Sequence, residues 1–447
     1  LACLLTLLHA GSAGATSYTL TVLGTLRSDT TGVSEATSIN NAGLVVGWAE
    51  TDAAEYHVLR WTRSDGMTDA GSLVPPFLSA ATDVNGSGEL CGFGLTQSTG
   101  FATAVHQLPD GDLLGLPKPP GAGDSYGYGI SDAGVIVGWT NLNSGCGYPS
   151  CPGNPGHAIQ WNDGARSFLP DLGGSFSVAA DISADGSMIC GYGANTSGQI
   201  RGFRLHGTEI DELAPLAGYS ESYAEGINDA GDVVGYSHSG SRDEATLWVG
   251  ATASDLGVPG DALGSIALRI NSSGGIVGYS LLGGSETRAA LFSGSGPPED
   301  LNTLIPPGSG YTLTYAYGIN DVGQIVGDAL GATFSRGMVL TPDNEAAAEP
   351  SPSRKRGLEL IAPWPNPVST GAMLRYRLPD AGLTRVVVVD IAGREVARLL
   401  DQTQAAGEHS CAWDGRDSQG RMLNSGVYLM RIEAGGASRS QKIVVSR

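Results

Sequence analysis

Seven times along the chain one phrase recurs, from Ile39-Asn-Asn-Ala-Gly43-Leu-Val-Val-Gly47-Trp48 near the start to Ile319-Asn-Asp-Val-Gly323-Gln-Ile-Val-Gly327 near the end. The copies begin at residues 39, 84, 130, 182, 227, 270 and 319. A spacing of about 45 residues, filled with short β-rich runs, marks a propeller or a repeat array, and no single compact core can satisfy it. One copy reads as four strands. Ala36–Ile39 leads through the turn Asn-Ala-Gly43 into Leu44–Trp48; His57–Trp61 follows, then a short strand near Met67–Gly71. Asn and Gly supply the turn chemistry. The last Gly of each phrase (47, 92, 138, 191, 235, 278, 327) predicts a close backbone approach or a bulge near the axis.

The seventh copy runs into a linker before a fourth strand can form, whereas Tyr18–Leu26 is a β-rich stretch without a repeat of its own. Lending it to the seventh unit closes a ring and removes an exposed edge. The expected fold is all-β, a seven-bladed β-propeller followed by an Ig-like β-sandwich. The expected boundaries are a truncated secretory signal at 1–15, the propeller at 16–342, a linker at 343–357 and the sandwich at 358–447.

The signal reading rests on the apolar run Leu1–Ala10 and on Ala13-Gly14-Ala15, an A-x-A-like cleavage site. Residues 1–350 carry 11 Lys+Arg against 36 Asp+Glu, while 358–447 carry 11 against 9. So acidic a body argues against nucleic acid as partner, because phosphate binding needs a basic footprint. A solvated acidic surface is the plain reading. Export permits disulfides, and Cys146 and Cys151 are a candidate pair on a long loop. Cys91 and Cys190 sit in apolar strand positions and read as buried thiols.

Ile227-Asn-Asp-Ala-Gly-Asp-Val-Val-Gly-Tyr-Ser237, His157-Ala-Ile-Gln-Trp161 and Asp171-Leu-Gly-Gly174 resemble the bacterial extracellular HAF-repeat family. That resemblance implies export and repeat architecture and carries no activity. Repeats two, four and six depart from the pattern, with Glu89-Leu-Cys91, one extra residue before Gly191, and Arg269 before Ile270.

In the C-terminal part seven alternating strands are expected between Leu358 and Val445. Pro365-Asn366-Pro367, Val389-Asp-Ile-Ala-Gly393-Arg-Glu-Val396 and Ser425-Gly426-Val-Tyr428, with Lys442 in the final strand, resemble two related families. These are the Ig-like domain of the flagellar hook-capping protein and the C-terminal sorting domain of type IX secretion. The second implies a partner in the type IX machinery and a place outside the cell, or on the outer surface, of a Gram-negative-type bacterium.

Chemical signals are sparse. Gly123-Asp-Ser125-Tyr-Gly127 matches G-x-S-x-G, but a repeat strand follows it where a hydrolase elbow needs a helix. His57 and His157 open equivalent strands and read as structural. Asp83-Val-Asn85 and Asp181-Ile-Ser183-Ala-Asp185 imitate the start of a calcium loop without the acidic residue that closes one, so an Asx turn is the competing reading. No other cofactor is expected.

Aromatic residues gather where loops enter the first strand of each blade: Tyr126, Tyr128, Phe176, Tyr219, Tyr223, Tyr311, Tyr315 and Tyr317. Asp124, Glu221 and Glu225 accompany them. Such a face suits a glycan or a protein, and inter-blade packing is the plain alternative. The expectation is a monomeric, non-catalytic binding propeller; the alternative is a hydrolase or lyase acting on polysaccharide. Acids and a histidine converging in the central mouth would favour the enzyme, small and aromatic walls the binder.

Overall fold

The computed structural model describes residues 17–343, apart from 30, 97–100, 110, 142–155, 241 and 293–296, and also 359–360, 372–378, 381–389, 394–405, 407–434 and 437–445. It divides into two compact units, residues 1–347 and 348–447.

The first unit holds seven antiparallel sheets of four strands each. In every blade the innermost strand is the one that ends in the repeated Ile/Val-Asn/Ser phrase. Blade one, for example, runs outward through Ser34–Ile39, Val45–Glu50, Tyr56–Thr62 and Gly66–Asp69. The outermost strand of blade seven is Tyr18–Val22, which pairs antiparallel with Ser335–Pro342 in the register Tyr18↔Pro342 to Val22↔Met338. The ring is thus closed by joining the two ends of the unit. Thr19 Oγ1 donates to Asp343 (2.8 Å) and the Tyr18 N–H to Leu304 (2.9 Å), which fastens the seam. The strand is shorter than the expected Tyr18–Leu26: the Leu23 N–H still reaches Gly337, but Leu26 bridges Thr51 of blade one, so the chain has already crossed to the next blade.

The recurrent glycines have two jobs. Gly43 and its equivalents take positive φ at the turn, +79° at Gly43 itself. Gly47 and its equivalents face the inner strand, where an added Cβ would collide with a backbone carbonyl, that of Glu35 in blade one. Opposite each such glycine lies a small residue (Ala36, Ala81, Gly127, Ala179, Ala224, Ala267 or Ala316), and directly after it the inner strand carries a one-residue bulge. The sequence offered close approach or a bulge; the structure contains both, on facing strands.

Blades are joined by apolar clusters that each draw on neighbouring sheets, such as Val46 and Val58 with Ala81, Val84 and Leu90. Hydroxyls add a second tie. Ser125, Ser177 and Ser265, each at or near the start of an inner strand, accept the N–H of Ala104, Ala158 and Ala245 in the preceding blade. Ser125, the serine of the G-x-S-x-G match, is therefore a buried inter-blade link.

The second unit is a two-sheet sandwich. One sheet contains Glu359–Leu360, Ala372–Leu378 and Gly407–Trp413, the other Glu395–Gln404, Gly382–Val389, Gly426–Ala434 and Ala437–Val445. Tyr376, Val386, Val388, Trp413, Met430, Ile432 and Ile443 fill the space between them. These are the seven expected strands. Gly426 and Tyr428 lie in the sixth, the Tyr428 hydroxyl donating to Asn424 (3.1 Å), and Lys442 pairs with Leu429 in the ladder. Pro365, Asn366, Pro367 and Gly393 lie outside the described residues.

Candidate ligand cavity on the propeller axis

The inner strands build the axis in layers. At one end stands a girdle of turn asparagines. Asn40 accepts from Ala42 and Leu44 N–H within its own turn and donates from Nδ2 to the Asn85 carbonyl (2.9 Å) in the next blade. Asn85 passes the link to Ser131, Asn228 to Asn271, Asn271 to Asn320, and Asn320 back to Asn40. Carboxylates reinforce the rim: Asp132 accepts from Gly86 N–H, Asp229 from Asp185 N–H, and Asp321 from Ser272 and Asn41. Most of the polar capacity at this end is spent inside the protein. Of the residues in the calcium-like starts, Asn85 and Asp185 make Asx turns, accepting the N–H of Ser87 and Glu89 and of Ser187, whereas the carboxylates of Asp83 and Asp181 reach donors on other blades. Asp185 takes the Ser187 N–H and Ser183 hydroxyl. Among the described residues no group of three His, Cys, Asp or Glu could hold a metal ion.

One layer in, the axis narrows to a buried charge cluster. Asp83 accepts from the Ser38 hydroxyl (2.7 Å) and Ile130 N–H (3.0 Å), and Asp181 from Ile182 and Ile227 N–H (2.9 and 3.1 Å). Arg269 donates from Nη1 to the carbonyls of Glu225 and Leu268. Burial pushes both aspartates upward, Asp181 to about 6, with the Arg269 charge pulling the other way.

Beyond the waist the seven bulges open a cavity of ≈ 530 Å³. The unpaired residues of those bulges (Thr37, Thr82, Tyr128, Ala180, Glu225, Leu268 and Tyr317) all line it, one from each blade. A bulge re-aims a side chain out of the ladder, and here it turns seven of them to the axis. Val178, Tyr192, Arg269, Tyr279 and Tyr315 complete the wall. The rings interlock edge to face or stacked: Tyr279 on Tyr315 at 4.8 Å, Tyr315 on Tyr317 at 5.4 Å, Tyr192 on Tyr223 at 5.0 Å. Thr37 and Thr82 spend their hydroxyls on the next blade, donating to Ala81 and Gly127 carbonyls. The Glu225 carboxylate makes no protein hydrogen bond among the described residues, and enclosure pushes it up to about 7 despite Arg269 nearby. A second acidic pair lies between blades seven and one. Asp328 is pushed up to about 8 by burial and then by Glu35, and one of its oxygens is buried without a hydrogen bond.

The expected aromatic face therefore sorts itself. Tyr128, Tyr315, Tyr317 and Glu225 line the cavity, and Tyr126, Phe176 and Tyr223 pack behind it with Trp139 and Tyr192. Asp124 is structural, accepting from Ala102 N–H and Asn141. Glu221 takes the Tyr223 hydroxyl, Tyr219 donates to Glu244, and Tyr311 packs on the blade-seven core. Cys146 and Cys151 lie outside the described residues. Cys91 and Cys190 are buried free thiols. His57 and His157 face Asp69 and Asp171 on outer strands, away from the axis. Reading the sequence missed Thr37, Thr82, Val178, Ala180, Leu268, Arg269, Tyr192 and Tyr279. A signal existed for six of them: Thr37, Thr82, Ala180 and Leu268 sit two residues before the repeated Ile/Val-Asn/Ser phrase, and the two tyrosines directly follow its last glycine.

Residues 372–438 match the FlgD Ig-like domain. No curated protein matches the chain. Among solved structures it is similar to a streptogramin B lyase (13% identity, 73% of this chain and 98% of that one, TM-score 0.46). A puromycin hydrolase mutant is 12% identical over 78% of this chain and 59% of that one, TM-score 0.48. PorZ, a surface component of the type IX secretion system of Porphyromonas gingivalis, is 13% identical over 92% of this chain and 51% of that one, TM-score 0.29.

Proposed function

We propose that this is an exported, non-catalytic surface propeller that binds a saccharide end-group in the bulge-lined axial cavity. The observation that carries the reading is the wall itself, five tyrosines (Tyr128, Tyr192, Tyr279, Tyr315 and Tyr317) among small and apolar side chains, with Glu225 and Arg269 between them. Sugar rings present apolar faces edged with hydroxyls, which aromatic faces and phenol hydroxyls match. A cavity of ≈ 530 Å³ suits one or two sugar units better than a protein surface, which needs a patch of roughly 800 Å² per partner. A protein ligand would have to insert a single side chain. The export part of the proposal rests on the apolar run Leu1–Ala10, and delivery by the C-terminal domain on the resemblance of its motifs to sorting domains.

Glu225, poised near neutrality in a cavity, is the one observation that favours the hydrolase or lyase reading. Two-carboxylate glycoside cleavage needs a second acid across the bond. Asp83 and Asp181, the nearest acids on the axis, are held by protein donors, and no histidine lines the cavity. A glycan array probed with the full chain tests the proposal. The expected outcome is a small set of related glycans whose signal is lost in the Tyr315→Ala, Tyr317→Ala double variant. Retained signal would place the site elsewhere, and turnover of the bound glycan would make the protein an enzyme.

A further inference from the structure

The structure assigns a charge preference to this cavity: we infer that its ligand is an amino sugar with a free ammonium group, seated against the Glu225 carboxylate among the tyrosine rings. The inference rests on the saccharide reading and specifies which sugar.

Two charged side chains line the cavity, Glu225 and Arg269. Their situations differ. Arg269 also lines the opposite opening of the axis, beside Asp83 and Asp181, so its positive charge is offset twice from that side. Its Nη1 is held by the carbonyls of Glu225 and Leu268. Glu225 has only the Arg269 charge nearby and no hydrogen bond of its own among the described residues. It is a bulge residue, so the backbone turns its side chain to the axis, and the carboxylate accepts no hydrogen bond from the described residues. A half-buried carboxylate without protein donors is poorly compensated. Asp181 adds further negative charge, and Arg269 relieves it only in part, which is why enclosure raises its proton affinity. A bound ammonium would supply the missing partner.

The surroundings favour a cation as well. Tyr279, Tyr315 and Tyr317 offer π-faces and hydroxyls with no protein hydrogen bond among the described residues, and ring faces attract cations. Burial first, and then the neighbouring acids Glu35 and Asp328, raises the proton affinity of Tyr317. A ligand carboxylate or phosphate would face Glu225 with only the already compensated Arg269 to receive it. N-acetylation removes the charge, so the acetylated sugar is the natural discriminating control.

Isothermal titration of the full chain with three probes tests this: the glucosamine disaccharide, its di-N-acetyl counterpart, and Nα-acetyl-lysine amide. The expected result is at least tenfold tighter binding of the free amine than of the acetylated disaccharide. Glu225→Gln should shrink that preference to within threefold without lowering the melting temperature, and Ala180→Phe, which fills the cavity, should abolish binding. Equal binding of the two disaccharides that Ala180→Phe abolishes would overturn the inference while the saccharide reading stands. Binding that survives Ala180→Phe would overturn the cavity reading itself. Tighter binding of the lysine amide than of the disaccharide would overturn the sugar assignment, and so would failure of the free-amine disaccharide to bind.

Discussion

The two ends of the propeller axis are made by the same seven strands, three residues apart in sequence, yet they are finished in opposite ways. At the turn end, Asn40, Asn85, Asn228, Asn271 and Asn320 satisfy their own turns and then reach into the next blade. At the other end, one residue per strand leaves the ladder, and Thr37, Thr82, Tyr128, Ala180, Glu225, Leu268 and Tyr317 face an open cavity. The first end repeats because five of the seven blades make the same contact, with Ser131 and Ser183 at the position in the other two. The second varies from blade to blade, although Thr37 and Thr82 still donate to the next blade. Repetition here marks structure, and its breakdown marks the site.

That contrast can be broken experimentally, and the seam gives the largest effect. Deleting Tyr18–Val22 strips blade seven of its outer strand and exposes the ladder of Ser335–Pro342. We expect aggregation or loss of the cooperative unfolding transition in urea; a truncated chain that melts like the whole one would refute closure by this strand.

Next is a girdle residue. Asn271→Ala removes the bond to Asn320 and leaves the N–H groups of Ser273 and Gly275 without their acceptor. It should cost about 1–3 kcal/mol by urea titration, chiefly because the buried Asn320 carbonyl loses its donor. Glu225→Gln on the cavity side should cost nothing and gain stability at pH 8. A destabilised Gln variant would mean that Glu225 belongs to the structural set.

The smallest effect is pH-dependent. Asp328 and Glu225 bind protons more tightly folded than unfolded, at about 8 and about 7. Their protonated forms therefore favour the fold, and stability should fall as pH rises from about 4.5, the ordinary carboxylate range, towards 8. Asp328→Asn should flatten that slope and raise stability at pH 8 by about 1–3 kcal/mol. An unchanged slope would show that Asp328 titrates normally.

Much of the fold was written in the repeat. Period, strand count and the orphan stretch at Tyr18 identify a closed seven-bladed ring, because each follows from spacing or from the need to pair an edge. The cavity was only half legible. Tyr128, Tyr315, Tyr317 and Glu225 stood out as aromatics and acids before the repeat phrase, but so did Tyr219, Tyr311 and Asp124, which pack or cap. A bulge decides between them: it shifts the side-chain alternation by one, and no residue type in these strands announces it. Arg269 was visible only as a departure from the pattern, and its meaning depends on Asp83 and Asp181, from two other blades.

The most direct test of the central claim is to fill the cavity without touching the ring. Ala180 lines it from blade four and its side chain makes no hydrogen bond. Replacing it with Phe and measuring both melting temperature and binding of whichever glycan the array identifies separates site from scaffold. The account predicts a melting temperature within a few degrees of wild type and affinity reduced at least a hundredfold. Undiminished affinity in a folded Ala180→Phe variant would contradict it.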